Sequence, residues 1–229
     1  MARMKYTEDA PVGQHIYDLY SQRLQFESHS GSFAEYHETN MGVGTILIEG
    51  SNLSYSRVRL EGGRISSMTF GYEDGTTFAT ITGIKIGANS VSVYDNPFAG
   101  EFIRAALRHD DRIIGSRNPD VLRAENGNDR VFGRGGDDQF IVEFGNDVMT
   151  GGAGSDQFLI RGYGGRSTIT DFDPSGGGTD QDYLGLPNLD VTVRRLNRHD
   201  TMIEIPTGDR IVLRDVRPAE IDPGDYFFA

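Results

Sequence analysis

The chain has 229 residues, a hydrophobic fraction of 37 % and a formal net charge of -12. This length allows one sizeable domain or two small ones, and the apolar content is too high for a disordered tail. The acidic surplus argues against nucleic acid or an anionic membrane as partner, and the absence of cysteine excludes disulfides, thiolate zinc sites and cysteine nucleophiles. No stretch is long and apolar enough to span a membrane, and residues 1–10 lack the apolar run of a cleavable signal peptide.

Residues 1–110 predict a β-rich domain with two helices. Apolar residues recur at helical spacing over residues 14–26, and Asn96 followed by Pro97 predicts the start of a second helix. Between these helices, short β-rich runs are separated by Gly and Asn, as is typical of strands and turns. The predicted strands cover residues 45–48, 64–70, 77–81 and 90–94.

The segment from residue 115 to residue 159 repeats with a period of nine residues. Rows one to five are GSRNPDVLR, AENGNDRVF, GRGGDDQFI, VEFGNDVMT and GGAGSDQFL. The sixth position is Asp in every row, and the eighth position is apolar in every row. The Asp residues are Asp120, Asp129, Asp138, Asp147 and Asp156, and the apolar residues are Leu122, Val131, Phe140, Met149 and Phe158.

This period fits a coil built from tight turns and short strands. A nine-residue unit can hold a turn of about six residues and a strand of about three, with Gly supplying positive φ in the turn. Two rows then make one coil, so that the turns of rows one, three and five (the odd turns) stack on one side. The turns of rows two and four (the even turns) stack on the other. Stacked carboxylates repel unless a cation lies between them, and carboxylate and carbonyl oxygens suit Ca²⁺.

The rows resemble the GGxGxDxUx repeat of the RTX (repeats-in-toxin, hemolysin-type calcium-binding) family of secreted bacterial proteins. Row five is a full match, and row three departs at its second and third positions. The resemblance implies a right-handed parallel β-roll over residues 111–168 that folds on binding Ca²⁺. Because rows one, two and four lack some of the glycines, we expect two to four ions. The metal ligands implied are Asp120, Gly127, Asp129, Gly133, Gly135, Gly136, Asp138, Gly145, Asp147, Gly151, Ala153, Gly154, Asp156, Asp171 and Asp182.

Residues 169–229 predict a β cap on this roll. Strand-like runs cover residues 191–193, 201–205 and 210–213. Residues 168–172 and 182–186 are similar to the segment that closes many RTX rolls, where Asp171 and Asp182 would bind a further calcium ion. Asp225 followed by Tyr226–Phe228 resembles the uncleaved export signal of type I secretion. A packed strand is the alternative for Tyr226–Phe228, and both interpretations stay open.

Two functions remain open at this point. The first is a secreted, extracellular calcium-binding protein with a non-catalytic structural, adhesion or binding role, whose N-terminal domain binds a partner. An extracellular polysaccharide or a cell surface is the candidate partner. The second is a small secreted enzyme that acts on extracellular polymers, with its active site in residues 1–110. That segment has no HExxH or GxSxG motif, and its acid–base cluster, Glu35, His37 and Glu38, has a solvated loop as the simpler interpretation. The first function is therefore favoured.

Overall fold

A computed structural model describes most of the chain. The described residues are 3–6, 24–29, 33–38, 45–55, 60–71, 77–87, 104, 106–161, 164–174, 180–187 and 190–229. The chain divides into two compact units, Met1–Arg108 and His109–Ala229. The predicted subdivision of the second unit at residue 168 stays a prediction.

The first unit contains an antiparallel sheet. Its strands are β1 Arg3–Tyr6, β2 Leu24–His29, β3 Phe33–Glu38, β4 Thr45–Tyr55, β5 Leu60–Gly71 and β6 Thr77–Gly87. Their order across the sheet is β1-β6-β5-β4-β3-β2. Apolar residues alternate along β4, β5 and β6, so one face of the sheet is buried. On that face Ile48 lies opposite Met68, and Met68 lies opposite Ile81. All three side chains are fully buried.

The helix predicted over residues 14–26 is wrong at its C-terminal end, because β2 begins at Leu24. There Leu24 and Phe26 alternate with Gln25 and Glu27, and antiparallel pairing with β3 favours this two-residue period over the helical one. Residues 14–23 and the predicted strand at 90–94 lie outside the described residues. So do residues 96–103 of the second predicted helix, whereas Arg104 and Ala106 are helical.

The second unit is a parallel β-roll, as predicted. Its strands are β7 Arg112–Ile114, β8 Val121–Asn126, β9 Arg130–Gly135, β10 Gln139–Phe144, β11 Val148–Ala153, β12 Gln157–Ile160, β13 Arg166–Ile169, β14 Tyr183–Leu186, β15 Thr192–Arg195, β16 Thr201–Glu204, β17 Arg210–Leu213 and β18 Tyr226–Phe228. A short 3-10 helix covers Pro218–Glu220. In the described part of the chain, no helix is long and apolar enough to cross a membrane.

These strands form two sheets, which separate the odd and even rows. Sheet I has the order β18-β14-β12-β10-β8, and sheet II has the order β15-β16-β17-β13-β11-β9-β7. Pairing is parallel except where the β15–β16 hairpin joins β17. Odd-row strands β8, β10 and β12 lie in sheet I, and even-row strands β9 and β11 lie in sheet II. The predicted alternation of rows is therefore confirmed.

The apolar column of the repeat forms the core between the sheets. All five eighth-position side chains are buried. Phe140 and Phe158 stack with ring centroids 4.7 Å apart. The division of each row differs from the prediction, because each strand β8 to β11 has six residues and each turn only three. The first residues of a row are strand because they pair in register with the next coil, as Ala153 does with Gly135.

Candidate functional site

The Asp column forms a hydrogen-bonded ladder on each side of the roll. On the odd side, the N–H of Asp120 donates to Oδ1 of Asp138 at 2.8 Å, and the N–H of Asp138 donates to Oδ1 of Asp156 at 2.9 Å. The ladder continues from the N–H of Asp156 to Oδ1 of Asp182 at 2.9 Å. On the even side, the N–H of Asp129 donates to Oδ1 of Asp147 at 2.9 Å. Each of these carboxylates therefore holds the backbone of the preceding coil through one oxygen.

The second carboxylate oxygen is the chemically informative one. Oδ2 of Asp138, Asp147 and Asp156 is buried and has no hydrogen-bond partner in the described part of the chain. Each of these residues is only 1 % exposed. A buried polar atom without a partner costs about 1–3 kcal/mol, and more when it is charged. Such atoms on both ladders therefore indicate places for cations.

The electrostatics of the ladders agree with this interpretation. Burial, together with repulsion from the carboxylates of Asp156 and Asp120, raises the pKa of Asp138 to about 9. Burial also raises the pKa of Asp129 to about 8, with repulsion from neighbouring carboxylates adding to the effect. The same causes raise the pKa of Asp156 to about 7, and of Asp147 and Asp182 to about 6. Ionised carboxylates are thus unfavourable here unless a positive charge compensates them.

The odd and even turns differ at the first position of each row. Rows three and five begin with Gly133 and Gly151, which are buried. A Cβ at Gly133 would collide with Oδ2 of Asp138 and the carbonyl oxygen of Gly151, and a Cβ at Gly151 would collide with Oδ2 of Asp156. These glycines therefore leave the space in which carboxylate and carbonyl oxygens converge.

Rows two and four begin instead with buried apolar side chains. Ala124 is 2 % exposed and Val142 is 3 % exposed. Their side chains occupy the first position of the even rows, where the odd rows have glycine. The even turns keep their Asp ladder but lack this glycine cradle.

The fourth-position glycines lie where the sequence places them. Gly127, Gly136, Gly145 and Gly154 have φ values of 138°, 90°, 130° and 120°. A Cβ at Gly154 would collide with the carbonyl oxygen of Gly136 on the coil below. Glycine is needed here both for its left-handed backbone and for this close approach.

In the turn of row one, hydrogen bonds within the row occupy the second carboxylate oxygen of Asp120. Oδ2 of Asp120 accepts the N–H of Ser116 at 2.6 Å, and the Ser116 hydroxyl accepts the N–H of Asn118 at 3.0 Å. Asn118 stands where the other rows have glycine. The second carboxylate oxygen of row one is therefore engaged by the protein itself.

Asp171 and Asp182 meet the odd ladder at row five. Oδ1 and Oδ2 of Asp171 accept the N–H groups of Gly151 and Gly152 at 2.9 and 3.0 Å. Oδ2 of Asp182 accepts the N–H of Asp173 at 3.0 Å. The charge of Asp171 contributes to the raised pKa of both Asp156 and Asp182, so the three carboxylates share one electrostatic environment.

One member of the even ladder is missing from the sequence analysis. The N–H of Asp111 donates to Oδ1 of Asp129 at 2.7 Å, and Asp111 is 1 % exposed. Residues 106–114 form a row before row one, with Asp111 at the sixth position and buried Ile113 at the eighth. Extending the nine-residue frame backward would have found it.

The donor set fits calcium. In the described ranges, no group of three or more His, Asp or Glu side chains is close enough to hold a metal ion. The turns of rows three and five instead each offer one buried carboxylate oxygen, and at Gly133 the open space lies beside both Oδ2 of Asp138 and the carbonyl oxygen of Gly151. Ca²⁺ takes six to eight such oxygens in flexible geometry, whereas Mg²⁺ demands a tighter octahedron.

Comparison with known proteins agrees with this chemistry. A family model, the RTX calcium-binding nonapeptide repeat, matches residues 108–140 and 135–159 with four copies. Residues 108–159 are RTX repeats. RTX nonapeptide repeats are calcium-binding, so the chain is a calcium-binding RTX-repeat protein.

A solved structure is also similar to this chain. It is the solution structure of the AlgE6R3 subunit from the Azotobacter vinelandii mannuronan C5-epimerase, with 21 % identity and a TM-score of 0.45. The match covers 54 % of this chain and 80 % of that chain. The search of curated proteins found no match.

The acid–base cluster of the N-terminal domain lies on a strand. Glu35, His37 and Glu38 belong to β3, so the solvated loop expected for them is wrong. Their side chains lie outside what the structure describes.

Proposed function

We propose that this RTX protein is secreted, and that its roll folds on binding Ca²⁺ outside the cell to serve a non-catalytic structural, adhesion or binding role. The observation that carries the proposal is the set of buried Oδ2 atoms of Asp138, Asp147 and Asp156, which have no partner in the described part of the chain.

The carboxylate ladders make the folded roll unfavourable without cations. Their carboxylates are buried at stacked positions, and a chain of net charge -12 adds general repulsion. The glycine-rich turns also lose much backbone entropy on folding. When Ca²⁺ binds the folded roll and not the unfolded chain, its binding free energy becomes folding free energy. Folding is therefore conditional on calcium.

The odd turns of rows three and five are the best calcium sites. Asp138 and Asp156 would supply carboxylate oxygens, and the turns that begin at Gly133 and Gly151 would supply carbonyl oxygens. Asp171 and Asp182 extend this ladder beyond row five. The even turns, with Asp129 and Asp147, bind more weakly because Ala124 and Val142 fill the first position. When bound, the ion supplies the positive charge that the buried carboxylates lack.

The difference between cytosolic and extracellular calcium concentrations would restrict the folded roll to the outside of the cell. Extracellular calcium modules have dissociation constants of about 10⁻⁴ to 10⁻³ M, so the roll would stay unfolded at cytosolic calcium. An unfolded chain suits export by the type I secretion machinery, with the segment from Asp225 to Phe228 as its signal. Tyr226–Phe228 forms β18 and pairs in parallel with β14, which supports a signal that packs as a strand after export. Proteins with RTX repeats are typically extracellular.

Far-ultraviolet circular dichroism during a calcium titration tests the proposal, with magnesium at equal concentrations as the control. We expect a cooperative gain of β signal with calcium alone. Full β structure in the presence of a chelator, unchanged by calcium, would refute the conditional fold.

A further inference from the structure

The outer face of sheet II carries a row of arginines on an otherwise acidic protein. Arg112 lies opposite Arg130 on β7 and β9, and Arg166 lies opposite Arg210 on β13 and β17. The strand register places all four side chains on the same face of sheet II, together with Arg194 on β15. We call this set of five residues the arginine face.

Most of the arginine face is exposed and only partly neutralised. The side chains of Arg194 and Arg210 are 54 % and 59 % exposed, and both contact Glu204, at 2.7 and 3.2 Å. Arg130 and Arg166 are also exposed, and neither forms an ion pair with any residue in the described ranges. The face therefore keeps a surplus of positive charge.

Sheet I shows that this arrangement is not general to the roll. Its outward Arg123 forms an ion pair with Glu143 on the neighbouring strand and lies 3.4 Å from Glu125. In sheet II, like charges stand directly opposite each other in two strand pairs, which destabilises a sheet. An arrangement that costs stability in the isolated protein favours a role in binding an anion.

Geometry and chemistry favour a long, flat polyanion. Neighbouring strands lie about 4.8 Å apart, so Arg130 on β9 and Arg166 on β13 are separated by about 10 Å across the sheet and by two residues along it. Thr150 lies on β11, the strand between the two arginine pairs, and Thr168 lies on β13 beside Arg166; each is partly exposed. Guanidinium groups bind carboxylate and sulfate through paired hydrogen bonds, and hydroxyl groups bind the hydroxyls of sugars.

Nucleic acid fits this face less well. The protein has a net charge of -12, which opposes a duplex at long range. Single strands need exposed aromatic rings for base stacking. Phe132 lies on this face, but the guanidinium of Arg112 covers its ring at 4.6 Å from the centroid.

We propose that the arginine face binds an extended anionic polysaccharide that carries carboxylate or sulfate groups at regular intervals. This inference rests on the proposed extracellular role and assigns the polymer to the roll rather than to the N-terminal domain. Calcium holds the strands of sheet II in place, whereas the arginines make the contacts.

The test uses the full chain, folded with calcium, and measures its affinity for four immobilised probes. Polygalacturonate carries carboxylates, heparin carries sulfates and carboxylates, dextran is neutral, and single-stranded DNA represents nucleic acid. The test variant is Arg130→Gln with Arg166→Gln. The matched control is Arg161→Gln with Arg217→Gln, which removes the same charge from exposed positions outside sheet II.

We expect binding to polygalacturonate or heparin and none to dextran, and the stronger of the two identifies the anionic group. The test variant should bind at least about tenfold more weakly, because it loses two charge-assisted contacts, while the control keeps wild-type affinity. Equal losses in both variants would overturn the inference, since bulk charge or calcium bridging would then explain binding. Stronger arginine-dependent binding to DNA would overturn it as well, and so would the absence of binding to either polysaccharide.

Circular dichroism of each variant in calcium separates this inference from the proposed function. Failure of the wild-type chain to fold with calcium contradicts the proposed function. A calcium-folded chain that ignores both anionic polysaccharides contradicts the polymer assignment alone.

Discussion

Replacing Asp138 with Asn tests the calcium ladder at a residue whose Oδ2 is buried and has no hydrogen-bond partner in the described part of the chain. The amide oxygen can still accept the N–H of Asp120, which Oδ1 of Asp138 accepts at 2.8 Å. The pKa of Asp138 is about 9, so this group is protonated in the calcium-free fold near neutral pH. Asp138→Asn should therefore change the stability of the calcium-free protein by less than about 1 kcal/mol.

Asp138→Asn should lower the stability of the roll when calcium is present. At about 100 times the dissociation constant, one bound ion stabilises the fold by about 2.7 kcal/mol. If losing the anionic ligand weakens binding about tenfold, the same calcium contributes only about 1.4 kcal/mol. The variant should thus lose about 1.3 kcal/mol, which lowers Tm by about 4 to 6 °C in a unit of this size.

Thermal unfolding at a series of calcium concentrations measures the loss in calcium, and extrapolation of the free energy of unfolding to zero calcium gives the change in the calcium-free fold. Asp129→Asn is the matched control, since Asp129 occupies the same repeat position on the even side and is equally buried. We expect a smaller calcium-dependent loss for Asp129→Asn. Equal losses in the two variants would refute the difference between odd and even turns. A loss for Asp138→Asn that is as large at extrapolated zero calcium as in saturating calcium would refute the role of its charge in ion binding.

Three further predictions concern neighbouring features. Gly151→Ala should abolish the stabilisation by calcium, because the added Cβ collides with Oδ2 of Asp156. The control Gly135→Ala should keep the stabilisation by calcium, because the atom nearest to its added Cβ is 3.6 Å away. Melting curves with and without added calcium compare the two variants. Arg134 has φ of 84°, a left-handed backbone conformation that costs a non-glycine residue energy, so Arg134→Gly should stabilise the roll by about 1 kcal/mol. The control Arg130→Gly, within a strand, should destabilise the roll. A lower stability of both variants would contradict this. In chelator, the free energy of unfolding should fall as pH rises from about 4 to about 9, because folding raises the pKa of Asp138 from 3.8 to about 9 and the folded state therefore binds more protons. Calcium competes with those protons, so its affinity for the roll should be higher near pH 9 than near pH 4. An opposite trend in either titration would contradict this.

The repeat could be predicted because its chemistry is local and periodic. In each row, the Asp at the sixth position marks the turn, and the apolar residue at the eighth position packs in the core. The alternation of rows between the sheets follows from that period alone. The run at residues 210–213 was also predictable and forms β17.

The rest of the roll could not be predicted from the period. Beyond row five the coils become longer, so the partner of a residue is no longer 18 positions away. The N–H of Gly151 donates a hydrogen bond to Asp171, 20 residues later, and the N–H of Asp156 donates to Asp182, 26 residues later. These insertions remove the periodic signal, and only the spatial register shows that β13, β14, β17 and β18 continue the two sheets.

The contrast between odd and even turns explains why folding should be cooperative although only one side is well built for calcium. The even side is stabilised by apolar groups, since Ala124 and Val142 are buried where the odd rows leave an oxygen-lined space. Each coil contains one turn of each kind, joined by strands that pair with the coils above and below. An even turn therefore cannot keep its packing when the odd turn of the same coil opens, because the connecting strand leaves the sheet. Calcium bound on the odd side stabilises the apolar contacts of the even side through this continuity.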